Sequence, residues 1–94
     1  MTPEMELRRG EDARLLLENP LLAEAFETFE AEITEKWRNS PARDEEGREK
    51  LWMMLQAARR ARTHLESLVE HGKMAQHTLA QRAKAALRGE TTPI

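Results

Sequence analysis

The sequence of 94 residues contains no cysteine and no tyrosine, and only 4% of its residues are aromatic. The lack of cysteine excludes disulfides, zinc–thiolate sites and thiol catalysis, and it fits a reducing compartment. No stretch approaches the roughly 20 apolar residues of a membrane helix, and the amino-terminal segment lacks the apolar run of a signal peptide. We therefore expect a cytoplasmic protein that makes no contact with a membrane.

Charged residues and helix-forming residues are abundant. Charged side chains make up 34% of the chain and apolar ones 39%, with alanine, leucine, glutamate and arginine prominent. We expect one small all-α domain over residues 1–89, followed by a flexible tail at 90–94. Because a chain this short leaves much of its apolar surface in water, its size favours a protein partner.

The dipeptide Asn19-Pro20 predicts the start of a helix, since asparagine is a good N-cap and proline fits the first helical position. Apolar residues then recur every three or four positions, which is typical of an amphipathic helix over about 20–38. The members of this stripe are Leu22, Phe26, Phe29, Ile33 and Trp37. We expect the stripe, including its terminal tryptophan, to lie in the core.

Ser40-Pro41 repeats this cap-then-proline pattern and predicts a second helix over about 41–71. Gly72 is the residue type that commonly ends a helix, so we expect it to be the C-cap. The dense charge near the start of this helix includes two acid-before-base pairs at a spacing of four, Asp44 with Arg48 and Glu46 with Lys50. We interpret this charge as local helix chemistry rather than as a binding site.

We expect the two helices to form an antiparallel helical hairpin, accompanied by a short amino-terminal helix and a carboxyl-terminal helix, in a helical bundle that oligomerisation could complete. The second helix outruns the first, which leaves Leu65, Leu68 and Val69 without a partner. Three consecutive leucines, Leu15–Leu17, cannot all face one groove, so a homo-oligomer or a larger assembly is favoured, with its contact centred on residues 61–87. The predicted protein interface comprises Trp52, Leu65, Leu68, Val69, Leu79 and Leu87. Trp52 flanks the apolar stripe of its helix, so a place in the core is the alternative for this residue.

Signatures of catalysis are missing from the sequence. His64 and His71 are seven residues apart, whereas a metal pair on one helix needs a spacing of four. There is no glycine-rich phosphate loop and no serine nucleophile motif. We therefore expect a protein that is not an enzyme and that has no metal and no cofactor.

Arginines cluster at Arg59, Arg60 and Arg62, and basic residues return near the carboxyl terminus. Such a cluster can contact phosphates, so nucleic-acid binding is the alternative function. Antiparallel pairing of the helices would instead bring these arginines to Glu24 and Glu27, and we favour such ion pairs. The candidate nucleic-acid residues are Arg59, Arg60, Arg62, Arg82, Lys84 and Arg88.

The ordered segments "LLLENPLLAEAFETFE", a tryptophan before the Ser-Pro pair, "REKLWMML" and "HLESLVEHGK" resemble a group of small uncharacterised helical proteins of tailed bacteriophages and prophages. These proteins are often encoded near virion-assembly genes, and the resemblance covers about residues 10–75. It implies a helical structural or accessory role and transfers no catalytic residue.

Two functions follow as expectations. The first is a non-enzymatic phage structural or assembly-associated protein that acts through helix-mediated contacts with itself or with a larger phage component. The second is a small nucleic-acid-binding accessory or regulator of packaging or transcription. The first implies location in the host cytoplasm, and incorporation into the virion remains an open alternative.

Overall fold

The computed structural model describes residues 1–89, and in that range it contains three helices and no strand. The helices are α1 (Pro3–Glu18), α2 (Pro20–Asn39) and α3 (Glu45–Leu87). The all-α class predicted from composition is confirmed. The predicted flexible tail lies outside the described residues.

The chain divides into two compact units. Unit 1 combines Met1–Leu15 with the chain from Leu65 onward, so it contains most of α1 and the second part of α3. Unit 2 is Leu16–His64 and contains α2 and the first part of α3. The separate carboxyl-terminal helix that we expected does not exist, because its residues belong to α3.

Asn19-Pro20 begins α2 as predicted. The side-chain oxygen of Asn19 accepts a hydrogen bond from the backbone N–H of Leu21 at 2.9 Å, and proline occupies the first helical position. Thr2-Pro3 begins α1 in the same way, because the threonine hydroxyl accepts from the N–H three residues later at 3.2 Å. Two of the three helices therefore begin with the same local pattern.

Ser40-Pro41 closes a helix rather than opening one. The N–H and the hydroxyl of Ser40 both donate to the carbonyl oxygen of Trp37, at 3.2 and 2.7 Å, so this serine is the C-cap of α2. The N-cap function for α3 falls to Asp44, whose carboxylate accepts from the Gly47 N–H at 3.1 Å. An aspartate at this place also favours the helix through its negative charge.

One of the two predicted ion pairs near the start of α3 forms. The side chains of Glu46 and Lys50 lie 3.4 Å apart on the solvent side. Arg48 does not pair with Asp44 but reaches the end of α2, where backbone carbonyls lack helical partners and the helix dipole attracts a cation. The charged segment is thus local helix chemistry, although part of it joins two helices.

In unit 1, Gly72 does not end a helix. It is buried inside α3 with no left-handed backbone, whereas Gly89, past the end of α3, has a φ of 76°. A Cβ atom on Gly10 of α1 would lie 2.8 Å from the Cα of Gly72 and 2.9 Å from the carbonyl oxygen of Leu68. Gly72 therefore lies in the interior of α3, where the absence of a side chain allows α1 to pack closely. The prediction that it is a C-cap is wrong.

This part of α3 was expected to lack a partner within the chain, but α1 packs against it. Leu65, Leu68 and Val69 are half-buried, and Ala13 of α1 and Ala75 of α3 are only 2% and 3% exposed. The closest approach of the two helices is at Gly10 and Gly72, whereas Leu15 and Leu16 are exposed. Small side chains let two helix backbones approach closely, which a search for large apolar residues overlooks.

In unit 2, the apolar stripe of α2 is buried at some of its positions and exposed at others. Ile33 is 3% exposed, and Leu22 and Phe26 are half-buried. Phe29 and Trp37 remain 40% and 44% exposed. The helical periodicity was therefore predicted correctly, but full burial of the stripe was not.

Candidate functional site

An apolar groove lies between α2 and α3 within unit 2, with a volume of about 220 Å³. We call it the Trp groove. Each helix contributes residues at positions i, i+1 and i+4, which share one side of a helix. The lining residues are Ile33, Thr34, Trp37, Leu51, Trp52 and Leu55.

Both tryptophans of the chain border this groove and remain accessible to water. Trp37 is 44% exposed and Trp52 is 57% exposed, whereas the neighbouring Ile33 is buried. The expectation that Trp37 belongs to the core is therefore wrong. It lies in the last turn of α2, so no further turn of the same helix extends past it to cover the indole.

Arg48 fixes the orientation of Trp37. Its guanidinium carbon lies 3.9 Å from the centroid of the indole ring, a cation–π contact. Its Nη1 donates to the carbonyl oxygens of Trp37 and Ser40 at 3.2 Å each, and to the serine hydroxyl at 2.9 Å. The arginine is thereby held by the end of α2, with its guanidinium over the indole.

Further apolar side chains are exposed next to Trp52. Met53 and Met54 are 57% and 45% exposed. Methionine adapts its shape to different partners, and neighbouring large apolar side chains on a surface are typical of interaction sites. The prediction that Trp52 belongs to an interface is consistent with this environment.

A second groove on α2, which we call the acidic groove, has a volume of about 440 Å³ and shares Thr34 with the Trp groove. Glu35 pairs with Arg38 there at 2.9 Å. Glu27 and Glu30 make no ion pair within residues 1–89. The lining residues are Glu27, Glu30, Ala31, Thr34, Glu35 and Arg38. The side of the Trp groove formed by α2 thus borders a negatively charged surface.

The arginine cluster does not form the expected ion pairs with Glu24 and Glu27 within the described residues. Arg62 is half-buried, and its guanidinium carbon lies 4.9 Å from the centroid of the Phe26 ring. Arg62 therefore contacts an aromatic ring of α2 and not the carboxylates that were expected. Arg59 and Arg60 are exposed.

The remaining predicted site residues lie in unit 1. Leu65, Leu68, Val69 and Leu79 are half-buried, whereas Leu87 is 88% exposed. Of the alternative nucleic-acid set, Arg82, Lys84 and Arg88 are exposed in this unit, while the three arginines of the cluster belong to unit 2. The structure thus assigns the predicted interface residues to two different units.

The residues missed by sequence reasoning are Thr34 and Trp37. Thr34 gave no signal because it lies just outside the apolar stripe. Trp37 carried a signal in its position, since a tryptophan in the last turn before a helix end is covered on fewer sides than one in the middle. Leu51 and Leu55 line the groove from α3.

Within residues 1–89, no group of three histidine, aspartate or glutamate side chains is placed to hold a metal ion. The pKa of Glu11 is lowered by hydrogen bonds from the Arg14 guanidinium and by its positive charge. Both residues line a groove of about 250 Å³ between α1 and α3 in unit 1, together with Lys73 and Gln76.

No helix among the described residues has both the length and the apolar character needed to cross a bilayer. No protein family, curated protein or solved structure matches the chain.

Proposed function

We propose that this protein is not an enzyme and that it acts by binding a helix of a protein partner in the Trp groove. The observation that supports this most directly is the pair of half-exposed tryptophans bordering one apolar groove. Tryptophan is enriched among the residues that contribute most to protein–protein affinity, and apolar grooves between helices commonly receive an amphipathic helix. Arg48 favours this function further, because it holds one indole in place.

We infer that α2 and the first part of α3 form an antiparallel helical hairpin, which would hold the two sides of the groove together. Two contacts support this arrangement. Trp37, near the end of α2, meets Arg48 near the start of α3. Phe26, nearer the start of α2, meets Arg62 farther along α3. Contacts in which one number falls as the other rises are typical of antiparallel helices.

For the biological setting, we propose a phage structural or assembly-associated role in the host cytoplasm, with incorporation into the virion as a further possibility. This rests on the resemblance to small helical phage proteins. The partner would be a second copy of the chain or a larger phage component. A small assembly protein needs a binding surface rather than a catalytic centre, and the Trp groove would supply one.

Nucleic-acid binding is the second candidate, favoured by the exposure of Arg59 and Arg60 without an ion pair in the described part of the chain. Phosphate contacts would make affinity fall steeply with rising salt. Replacing both arginines by alanine would then reduce the slope of that dependence. If the purified protein shows no salt-dependent binding to duplex DNA, this candidate is excluded.

Site-directed photo-crosslinking distinguishes the two functions. Benzoylphenylalanine at position 34 places the reactive group in the Trp groove, and the same residue at position 28 provides a matched control. Thr34 and Thr28 are both exposed threonines of α2, but only Thr34 lines the groove. The two variants are produced in the natural host and irradiated, and adducts are mapped by mass spectrometry.

We expect a defined protein adduct from position 34, at a helical segment of the partner, and little or none from position 28. Trp52→Ala should reduce that adduct strongly, since it removes one side of the groove. Equal yields from both positions, or adducts with nucleic acid alone, would contradict the proposed function.

A further inference from the structure

The Trp groove is bordered by charge of one sign along α2. Between Pro20 and Arg38 the chain has five glutamates against one lysine and one arginine. Glu27 and Glu30 lie in the adjoining acidic groove, without an ion pair in the described residues. A helix that fits both grooves would present apolar side chains with basic side chains along one flank.

The carboxyl-terminal part of α3 has this character. From His71 to Gly89 the chain has no acidic residue and four basic ones. Ala80, Ala83 and Leu87 recur at spacings of three and four, so they form one stripe, and all three are exposed. The basic residues of this segment are Lys73, Arg82, Lys84 and Arg88.

Leu87 is the most exposed large apolar side chain of the described residues, at 88%. Lys84 is also exposed, and at three residues before Leu87 it lies beside the same stripe. The alanines of the stripe would let the backbone of this helix approach a partner helix closely. The segment thus offers one apolar side chain for insertion, with positive charge beside it.

On the basis of the proposed function, we propose that the Trp groove binds the segment 80–88 of a second copy of this chain. Leu87 of one copy inserts between Trp37 and Trp52 of the other, and Lys84 faces Glu27 and Glu30. Groove and segment are different surfaces, so the contact is heterologous. Repetition of such a contact gives a ring if the rotation closes and a filament if it does not.

Charge also determines the orientation of the bound segment. Arg59 follows Trp52 by seven residues, two turns along α3, and so lies on the same side of that helix. The positive charge of Arg59 would repel basic side chains of the bound segment on the α3 side, whereas the glutamates of α2 would attract them. Lys84 therefore faces α2, and the uncharged side of the segment, which includes Ala83, faces α3.

Mixing two complementary variants tests the heterologous contact. Leu87→Glu damages the segment but leaves the groove intact, and Trp52→Ala damages the groove but leaves the segment intact. Both positions are more than half exposed, so both variants should keep the circular dichroism spectrum of the full-length protein. Sedimentation velocity at equal total concentration then measures association of each variant and of their mixture.

We expect each variant alone to associate at least tenfold more weakly than the unaltered chain, because each loses the burial of a large apolar side chain. The mixture should form a one-to-one dimer that does not extend, because only one intact groove and one intact segment remain. A mixture that associates no better than the separate variants would overturn the proposal.

Charge reversal tests the register. Glu30→Lys and Lys84→Glu should each weaken association about three- to tenfold at low salt, and the two changes in one chain should restore most of the loss. Lys36→Glu is the control, because Lys36 is exposed on α2 but lines neither groove, so this change should leave association near that of the unaltered chain. A double variant weaker than both single variants would contradict the pairing.

The result for the unaltered chain separates this proposal from the proposed function. A strict monomer at high micromolar concentration overturns self-association. If position 34 still crosslinks to a different protein, groove-mediated binding stands and the occupant is that protein. If neither self-association nor a crosslinked partner is found, both proposals fail.

Discussion

Gly10→Ala tests the close approach of α1 and α3 in unit 1. The added Cβ atom would lie 2.8 Å from the Cα of Gly72 and 2.9 Å from the carbonyl oxygen of Leu68. Both are backbone atoms, so no side-chain rotation can relieve the overlap. The two helices must separate, and the burial of Ala13 and Ala75 beside the contact is reduced.

Alanine favours the interior of a helix over glycine by about 1 kcal/mol, so Gly10→Ala would stabilise the protein if nothing opposed the new Cβ atom. Overpacking typically costs about 1 to 3 kcal/mol. The difference predicts that Gly10→Ala is less stable than the unaltered chain by up to about 2 kcal/mol. Gly47→Ala does not serve as a control, because the carboxylate of Asp44 lies where the new Cβ would be and its capping hydrogen bond would be lost.

Urea denaturation followed by circular dichroism at 222 nm measures the difference, with thermal unfolding as a second measurement. For a domain of this size each kcal/mol corresponds to about 4 to 8 °C in Tm. Gly72→Ala should be affected less than Gly10→Ala, because its nearest backbone contact is 3.0 Å rather than 2.8 Å. A Gly10→Ala variant that is more stable than the unaltered chain by about 1 kcal/mol, the full helix preference of alanine, would refute the idea that the glycines permit this helix contact.

Phe26→Ala should destabilise the protein more than Phe29→Ala, because Phe26 is half-buried beneath Arg62, whereas Phe29 is 40% exposed. Full burial of a phenylalanine is worth about 3 to 5 kcal/mol on truncation, so both losses should fall below that range, and the opposite order in chemical denaturation would contradict this assignment. The pKa of Glu11 lies below its ordinary value of 4.5 because Arg14 hydrogen-bonds to the carboxylate and adds positive charge. The pair's contribution to stability is therefore present above pH 4.5 and is lost as the pH falls through the lowered pKa; Arg14→Gln should raise the pKa of Glu11 in an NMR titration, and an unchanged value would be inconsistent with this cause.

Local signals in the sequence predicted much of the secondary structure. Asn19-Pro20 identified the start of α2 because a cap and a fixed proline φ act within a few residues. Ser40-Pro41 was misassigned because serine can also close a helix through its hydroxyl, and the true N-cap, Asp44, was treated only as charge. A serine near a helix end can cap either the free carbonyl groups of the preceding helix or the free N–H groups of the following one, and the sequence does not distinguish these two cases.

The candidate site was only partly predictable. Trp52 was assigned to an interface, but Trp37 was assigned to the core, since the apolar stripe does not show where the covering helix ends. The arginine cluster was placed near the correct part of α2, yet Arg62 contacts Phe26 instead of glutamate. Register can be estimated from a short loop, whereas the choice between neighbouring partners depends on side-chain positions in three dimensions.

The helical class, the capped start of α2 and the amphipathic stripe could be predicted from the residues alone, because each depends on interactions among residues close together in the chain. The continuation of α3 through Gly72, the packing of α1 on it and the groove between the two tryptophans depend on contacts between distant segments, so they are visible only in the folded molecule. Glycine ends many helices when nothing packs against it, but here Gly10 of a distant segment occupies the space where a side chain would be. That contact joins residues 62 positions apart, and no local pattern encodes it.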